Sequence, residues 1–168
     1  NNFKIKENIK ENLIVKDANV FDEYISNEKN ILEIEKEILK YNRKLEDIEL
    51  NTLFKKDKES YNSFRNKELL EKELFVMENY DIKNEIYFEN KKNLEEKIFK
   101  FDTALEISID KYKNEKPIEF ENIKTNLIKE YNHNISSLKI NSINFKNSNS
   151  SLKREINMSF ENRFNTLE

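Results

Sequence analysis

The sequence holds a single imidazole, and its surroundings decide which chemistry is worth considering. Glu130-Tyr131-Asn132-His133 has the Glu-x-x-His spacing, in which a carboxylate and an imidazole share one helix face and can reach the same metal ion. Di-metal bundles need two such units plus further glutamates from facing helices. A chain whose only histidine is His133 cannot supply the second unit, so the residue reads as a helix-margin or surface histidine. Ser136 and Ser137 follow it closely, but a nucleophilic triad also needs an orienting carboxylate from another arm, and no spacing points to one. The carboxylate pairs Glu35/Glu37 and Glu71/Glu73 read as charged-face residues, because nothing around them separates two pKa values. Asn134-Ile135-Ser136, Asn149-Ser150-Ser151 and Asn157-Met158-Ser159 match the glycan-acceptor pattern, which chance supplies in a chain so rich in Asn and Ser.

Composition closes off more. Glycine and cysteine are absent among the 168 residues, which excludes glycine-rich phosphate loops, strained glycine elbows, disulfide frameworks and zinc–thiolate sites. The expectation is therefore no enzyme, no catalytic residue, no cofactor and no metal. Charged residues (38%) outnumber apolar ones (36%), which fits a helical, water-soluble body. The formal net charge of −3 lacks the basic excess of a general nucleic-acid binder, so no nucleic-acid partner is expected. That charge is unevenly spread. Residues 1–60 carry 12 positive and 14 negative side chains, residues 61–122 carry 11 and 15, and residues 123–168 carry 7 and 4. The basic C-terminal group is Lys124, Lys129, Lys139, Lys146, Lys153, Arg154 and Arg163, the expected membrane or partner contact surface.

The elements that must hold these residues follow from apolar spacing. Ile31, Ile34, Ile38, Tyr41, Leu45 and Ile48 recur at intervals of three and four, with Thr52 continuing the row and Val20 and Tyr24 preceding it. Asn27 is a polar interruption, and Leu32, Leu39 and Leu53 widen the seam. Phe3, Ile9, Leu13 and Ile14 predict a short amphipathic helix before it, which either breaks near Asp17 with a cap at Asn19 or runs on into the main helix. Ser60 is the expected cap of the next arm, which carries Phe64, Leu70, Leu74 and Met77, then Leu94, Ile98, Phe101, Leu105, Ile109 and Tyr112. Asn79, Asp81 and Asn84 weaken the seam between these halves, so a bend or local unwinding is expected over 79–90. Pro117 suits the first turn of a fresh helix, where its missing N–H is not needed. Phe120, Leu127, Tyr131, Leu138 and Phe145 mark that helix's buried face. Asn147–Ser151 then allows either a loop or one long helix with a polar patch before Leu152, Ile156, Phe160 and Leu167, and the heptad phase kept from Phe145 to Leu152 favours a shallow bend.

Turns near 57–60 and 113–116 leave arms of about 50 residues. The fold class expected is all-α: an elongated antiparallel helical bundle of three long arms, which breaks near 17 and 149 would divide into four or five helices. Residues 1–166 read as a single domain, and Leu167-Glu168 as the scar of an appended tag. The chain starts at Asn1 without Met and shows no signal peptide, which reads as trimming.

The Lys/Asn/Glu/Ile bias is that of very AT-rich genomes. Together with the absence of glycine and long arms such as Ile31-Leu32-Glu33-Ile34-Glu35-Lys36-Glu37-Ile38, it resembles secreted helical proteins of malaria parasites. These include merozoite surface proteins and a sporozoite microneme protein of host-cell traversal. The resemblance implies micronemal storage, secretion and a role in crossing host cells; it carries over no functional residue. The lack of cysteine departs from the parasite surface modules built on disulfides.

The function expected is that of a non-enzymatic secreted or surface protein acting by contact with a host or parasite membrane or with a protein partner, and monomeric. The alternative is a cytoplasmic helical scaffold or coiled-coil adaptor. In the membrane reading the closed bundle binds weakly. Stronger binding then requires Phe145, Leu152, Ile156 and Phe160 to leave their seam.

Overall fold

The structure, a computed structural model, describes the backbone of residues 2–167 and the side chains of residues 16–165. It is all-helical, and long helices pack against one another as an all-α bundle. The described residues form five helices: α1 (Asn2–Glu46), α2 (Ile48–Phe54), α3 (Lys58–Glu78), α4 (Glu85–Glu115) and α5 (Pro117–Leu167). The side chains of Phe3, Ile9, Leu13 and Ile14, and the Leu167-Glu168 side chains read as a tag scar, lie outside the described residues.

At both places where the sequence leaves a break or a continuous helix open, the helix is continuous. α1 runs unbroken through Asp17 and Asn19, and α5 runs unbroken through Asn147–Ser151. Neither segment contains glycine or proline, and the polar residues cost a helix only fractions of a kcal/mol each, roughly 0.5. A long packed helix absorbs that. The middle arm, by contrast, is no arm at all. It reverses at residues 79–84, and α3 and α4 pair as an antiparallel hairpin in which Lys67 meets Asp102. Asn84 caps α4 by accepting the Tyr87 backbone N–H at 3.0 Å. The turn expected at 57–60 lies slightly earlier. Asp57, not Ser60, is the cap of α3: its carboxylate accepts the Glu59 N–H at 3.0 Å and the Ser60 hydroxyl at 2.6 Å. Pro117 opens α5, as its chemistry requires, with Lys116 as the one residue between α4 and α5.

Two compact units divide the chain. One comprises residues 1–43 and 132–168. Its described core joins α1 to α5 antiparallel, with Asn27 against Asn149 and Asp17 against Ser159. Ile31, Ile135 and Leu152 are buried there. Leu32 and Leu39 do not widen the seam: both face solvent, because only a narrow stripe of each helix meets its partner.

The other unit comprises residues 44–131. Its core gathers Leu53, Leu105, Tyr112 and Phe120, with Leu50, Phe54, Phe64 and Ile109 packed around them. Phe120 is 1% exposed, and its ring meets Tyr112 edge-on at 5.3 Å between centroids. A second cluster of Met77, Tyr87 and Leu94, with Leu70 and Leu74, closes the α3–α4 hairpin.

Candidate interaction surfaces

No group of three or more His, Cys, Asp or Glu side chains among the described residues is arranged to hold a metal ion. His133 is exposed, and Glu130 beside it is exposed too. No helix among the described residues is long and apolar enough to cross a membrane. What the structure offers for function is surface.

Of the seven basic residues of the C-terminal stretch, Lys124 and Lys129 belong to the unit of residues 44–131 and the other five to the unit of residues 1–43 and 132–168. Lys124 is half-buried; Lys129, Lys139, Lys146, Lys153, Arg154 and Arg163 are exposed. Arg163 is also engaged, since its guanidinium pairs with the Asp17 carboxylate, which accepts the Ser159 hydroxyl at 2.8 Å as well. Arg154, the neighbour of Lys153 in sequence, sits on another face of α5. Helical spacing brings together a smaller set. Lys139, Lys146 and Lys153 follow one another at seven-residue intervals and so share one exposed face, each about 10 Å from the next along the axis. Phe160 is the next residue in that row, and Phe164, one turn further, joins it. The two rings are 64% and 69% exposed. Phe160 was expected in the buried seam with Ile156; the row of half-buried and buried residues on α5 runs through Leu152, Ile156 and Ser159 and passes it by. Beside this row, a recess of about 270 Å³ lies between α1 and α5 of the same unit, lined by Phe21, Ile156, Phe160 and Arg163 among others.

The second surface escaped the sequence reading. The turn end of the α3–α4 hairpin exposes Phe75, Val76, Tyr80, Ile82, Ile86 and Phe88, with Ile82 at 76%. These residues surround the buried Met77 and Tyr87, whose ring packs edge-on against Phe88 at 5.2 Å between centroids. Monomeric proteins seldom expose so many large apolar side chains together without a use for them. The same end is acidic. Glu73, Glu78, Asp81, Glu85 and Glu89 are all exposed there, against one cation, Lys83, whose ammonium lies 5.9 Å from the centre of the Tyr87 ring. The available signal was the phase shift at Ile82 and Ile86, which marks a chain reversal as readily as a bend.

The unit of residues 44–131 also carries three ion-pair contacts that fasten separate elements together. Lys56 meets Glu119 at 2.6 Å, Lys113 meets Glu49, and Lys67 meets Asp102 with Glu71 at 3.5 Å. The hydrogen bond between Lys56 and Glu119 raises the pKa of the ammonium and lowers that of the carboxyl. A hydrogen bond to Glu49 raises Lys113. Partial burial works to lower Lys67, but Asp102 and Glu71 outweigh it and the net direction is upward. The raised values keep the Lys56, Lys67 and Lys113 ammonium groups charged, which suits fastening rather than proton transfer. No protein-family model, curated protein or solved structure matches the chain.

Proposed function

We propose that the protein acts without catalysis, as a secreted or surface protein whose α5 makes contact with an anionic membrane through its basic, aromatic face. The observation that carries this reading is the single exposed row Lys139, Lys146, Lys153 and Phe160, with Phe164 beside it. Each lysine held near an anionic bilayer contributes about 1 kcal/mol, over a range set by a Debye length of about 8 Å at physiological salt. Two phenylalanine rings that already face solvent add apolar anchorage. No opening of the helix pair is then required for a first, weak attachment. The resemblance to parasite proteins of host-cell traversal supports the same class of action.

Co-sedimentation with anionic and neutral vesicles at low and physiological salt tests the reading. Anionic vesicles should retain the protein more strongly, and retention should fall with salt. Lys146→Glu with Lys153→Glu should abolish the preference, whereas Arg154→Glu, on another face, should leave most of it. Equal retention on both vesicle types overturns the basic-face reading. No retention at all moves the function to a protein partner or an internal scaffold.

A further inference from the structure

We propose that the acidic, apolar turn end of the α3–α4 hairpin docks the basic, aromatic face of α5 from a second copy of this chain. The inference starts from a surface that the proposed function leaves unused. Phe75, Val76, Tyr80, Ile82, Ile86 and Phe88 stand exposed in the stretch 73–89, which also carries five exposed carboxylates and one lysine. That acidic charge repels an anionic bilayer, and apolar exposure of this extent favours a covering surface over water.

The required occupant has apolar side chains within a basic surround. The chain itself carries that chemistry on α5, where Lys146 and Lys153 lead into the exposed Phe160 and Phe164. Glu155, two residues beyond Lys153, points to a different side of the helix; Glu161, exposed beside Phe160 and Phe164, offsets part of the charge, which leaves Lys139, Lys146 and Lys153 as the basic part of the face. The two surfaces match in sign and in apolar character, and both are uncovered in the same structure. Opposed potentials steer encounter and fix which faces meet, while aromatic residues supply the contact that excludes water.

The two patches are different, so the contact is heterologous. It can repeat from copy to copy or close into a ring. It also uses the face of α5 that meets lipid in the reading above. Self-association and attachment to anionic vesicles then exclude one another at each α5 face, and a bilayer would draw copies out of the assembly. The self-association rests on the α5 face being basic and exposed, not on its binding lipid.

The test is sedimentation velocity of the full chain over a concentration series at low and high salt, with no lipid present. The mass should rise with concentration at low salt and return to that of one chain at high salt. Two variants divide the contact. Glu78→Lys with Asp81→Lys reverses the hairpin end at the last residue of α3, where a cation suits the helix field, and in the following turn. Lys146→Glu with Lys153→Glu reverses the α5 face. Each variant alone should lose association, and an equimolar mixture of the two should regain it as a heterodimer, because the reversed hairpin end meets the reversed helix. Far-ultraviolet circular dichroism checks that both stay helical. Ile82→Ser with Phe88→Ser should lose association without changing any charge.

A chain that stays monomeric at every concentration in low salt overturns the proposal, as does association indifferent to both reversals. Binding of the hairpin end to neutral vesicles, in place of self-association, overturns it too. The vesicle assay stays independent, since Glu78→Lys with Asp81→Lys should not weaken retention on anionic vesicles.

Discussion

Asn27 donates its side-chain amide to Asn149 Oδ1 at 2.9 Å, joining α1 to α5 across 122 positions of sequence. Both residues are buried, at 7% and 5% exposure. Asn149 in turn donates to the Tyr24 carbonyl at 3.2 Å and to Glu28 Oε1 at 2.9 Å, and Asn27 reaches Ser148 Oγ at 3.3 Å. Asn149 thereby uses its acceptor and both of its donors. A satisfied polar pair inside an apolar seam contributes little net stability, but it fixes register, because a slide of either helix leaves two amides unpaired.

Asn149→Ala should therefore cost about 1–3 kcal/mol, chiefly from the Asn27 amide left buried without its main partner. Replacing Asn27 and Asn149 together by Leu should be close to neutral in denaturant midpoint while loosening the α1–α5 register. Urea unfolding of Asn27→Leu, Asn149→Leu and the double Leu variant closes the cycle. Additive losses would show that the two amides are not coupled.

The core of residues 44–131 separates two positions that the apolar pattern treats alike. Leu105 is 4% exposed within the Leu53, Tyr112 and Phe120 cluster, so Leu105→Ala should cost roughly 2–5 kcal/mol. Phe120→Ala should cost roughly 3–5 kcal/mol. Ile38, on the same kind of seam in α1, is only half-buried, and Ile38→Ala should fall clearly below Leu105→Ala. Equal losses at Ile38 and Leu105 would mean that α1 is covered more fully than its exposure indicates.

Periodicity made the seams legible because an apolar stripe encodes which side of a helix is covered. It found Ile31, Leu105, Tyr112, Phe120, Leu127 and Tyr131, all buried. Pro117 marked the start of α5 because proline has a positional meaning that few residues share. Asn147–Ser151 left loop and continuous helix both open, because weak helix formers look like a loop until a buried partner such as Asn27 is known. The reversal at 79–84 was visible only as lost phase. A bend and a hairpin differ in long-range pairing, such as Leu70 and Leu74 with Leu94, which no local window contains. The basic face was seen as a count of charges. Its reduction to Lys139, Lys146 and Lys153 follows once α5 is known to be unbroken.

Asp57 gives an acid-side prediction. Its carboxyl is held below the ordinary value of 3.8, first by the Ser60 hydroxyl and also by the Ser60 and Glu59 backbone N–H groups. A depressed folded pKa contributes stability that is complete above the unfolded value and is lost as pH falls through the folded one. Asp57→Asn keeps an N-cap acceptor without a titrating proton, so the stability difference between Asp57→Asn and the parent chain should shift across that acid window and stay level above it. Asp57→Ala should cost about 1 kcal/mol at neutral pH through loss of the cap. A difference that does not change with pH would detach the cap from the acid limb.

Tyr112 gives the alkaline counterpart. Its hydroxyl is buried without a hydrogen-bond partner, beneath the Lys56 ammonium, which lies 5.3 Å from the ring centre. Burial pushes the phenol above its ordinary value of 10.0, and the nearby Glu119 charge pushes the same way against Lys56. A raised folded pKa means that the folded chain holds its proton longer than the unfolded one. Stability is then complete below pH about 10 and falls as pH rises toward the folded value. Lys56 and Lys113, also raised, add to the same alkaline loss. Tyr112→Phe keeps the ring against Phe120 and removes both the unpaired hydroxyl and its titration. It should match or exceed the parent chain at neutral pH, by up to about 1 kcal/mol, and lose less stability between neutral and strongly alkaline solution. Guanidinium unfolding across that range reads both effects. A Tyr112→Phe variant clearly weaker at neutral pH would show that the hydroxyl is satisfied in solution, and an unchanged alkaline slope would assign the loss to the lysines.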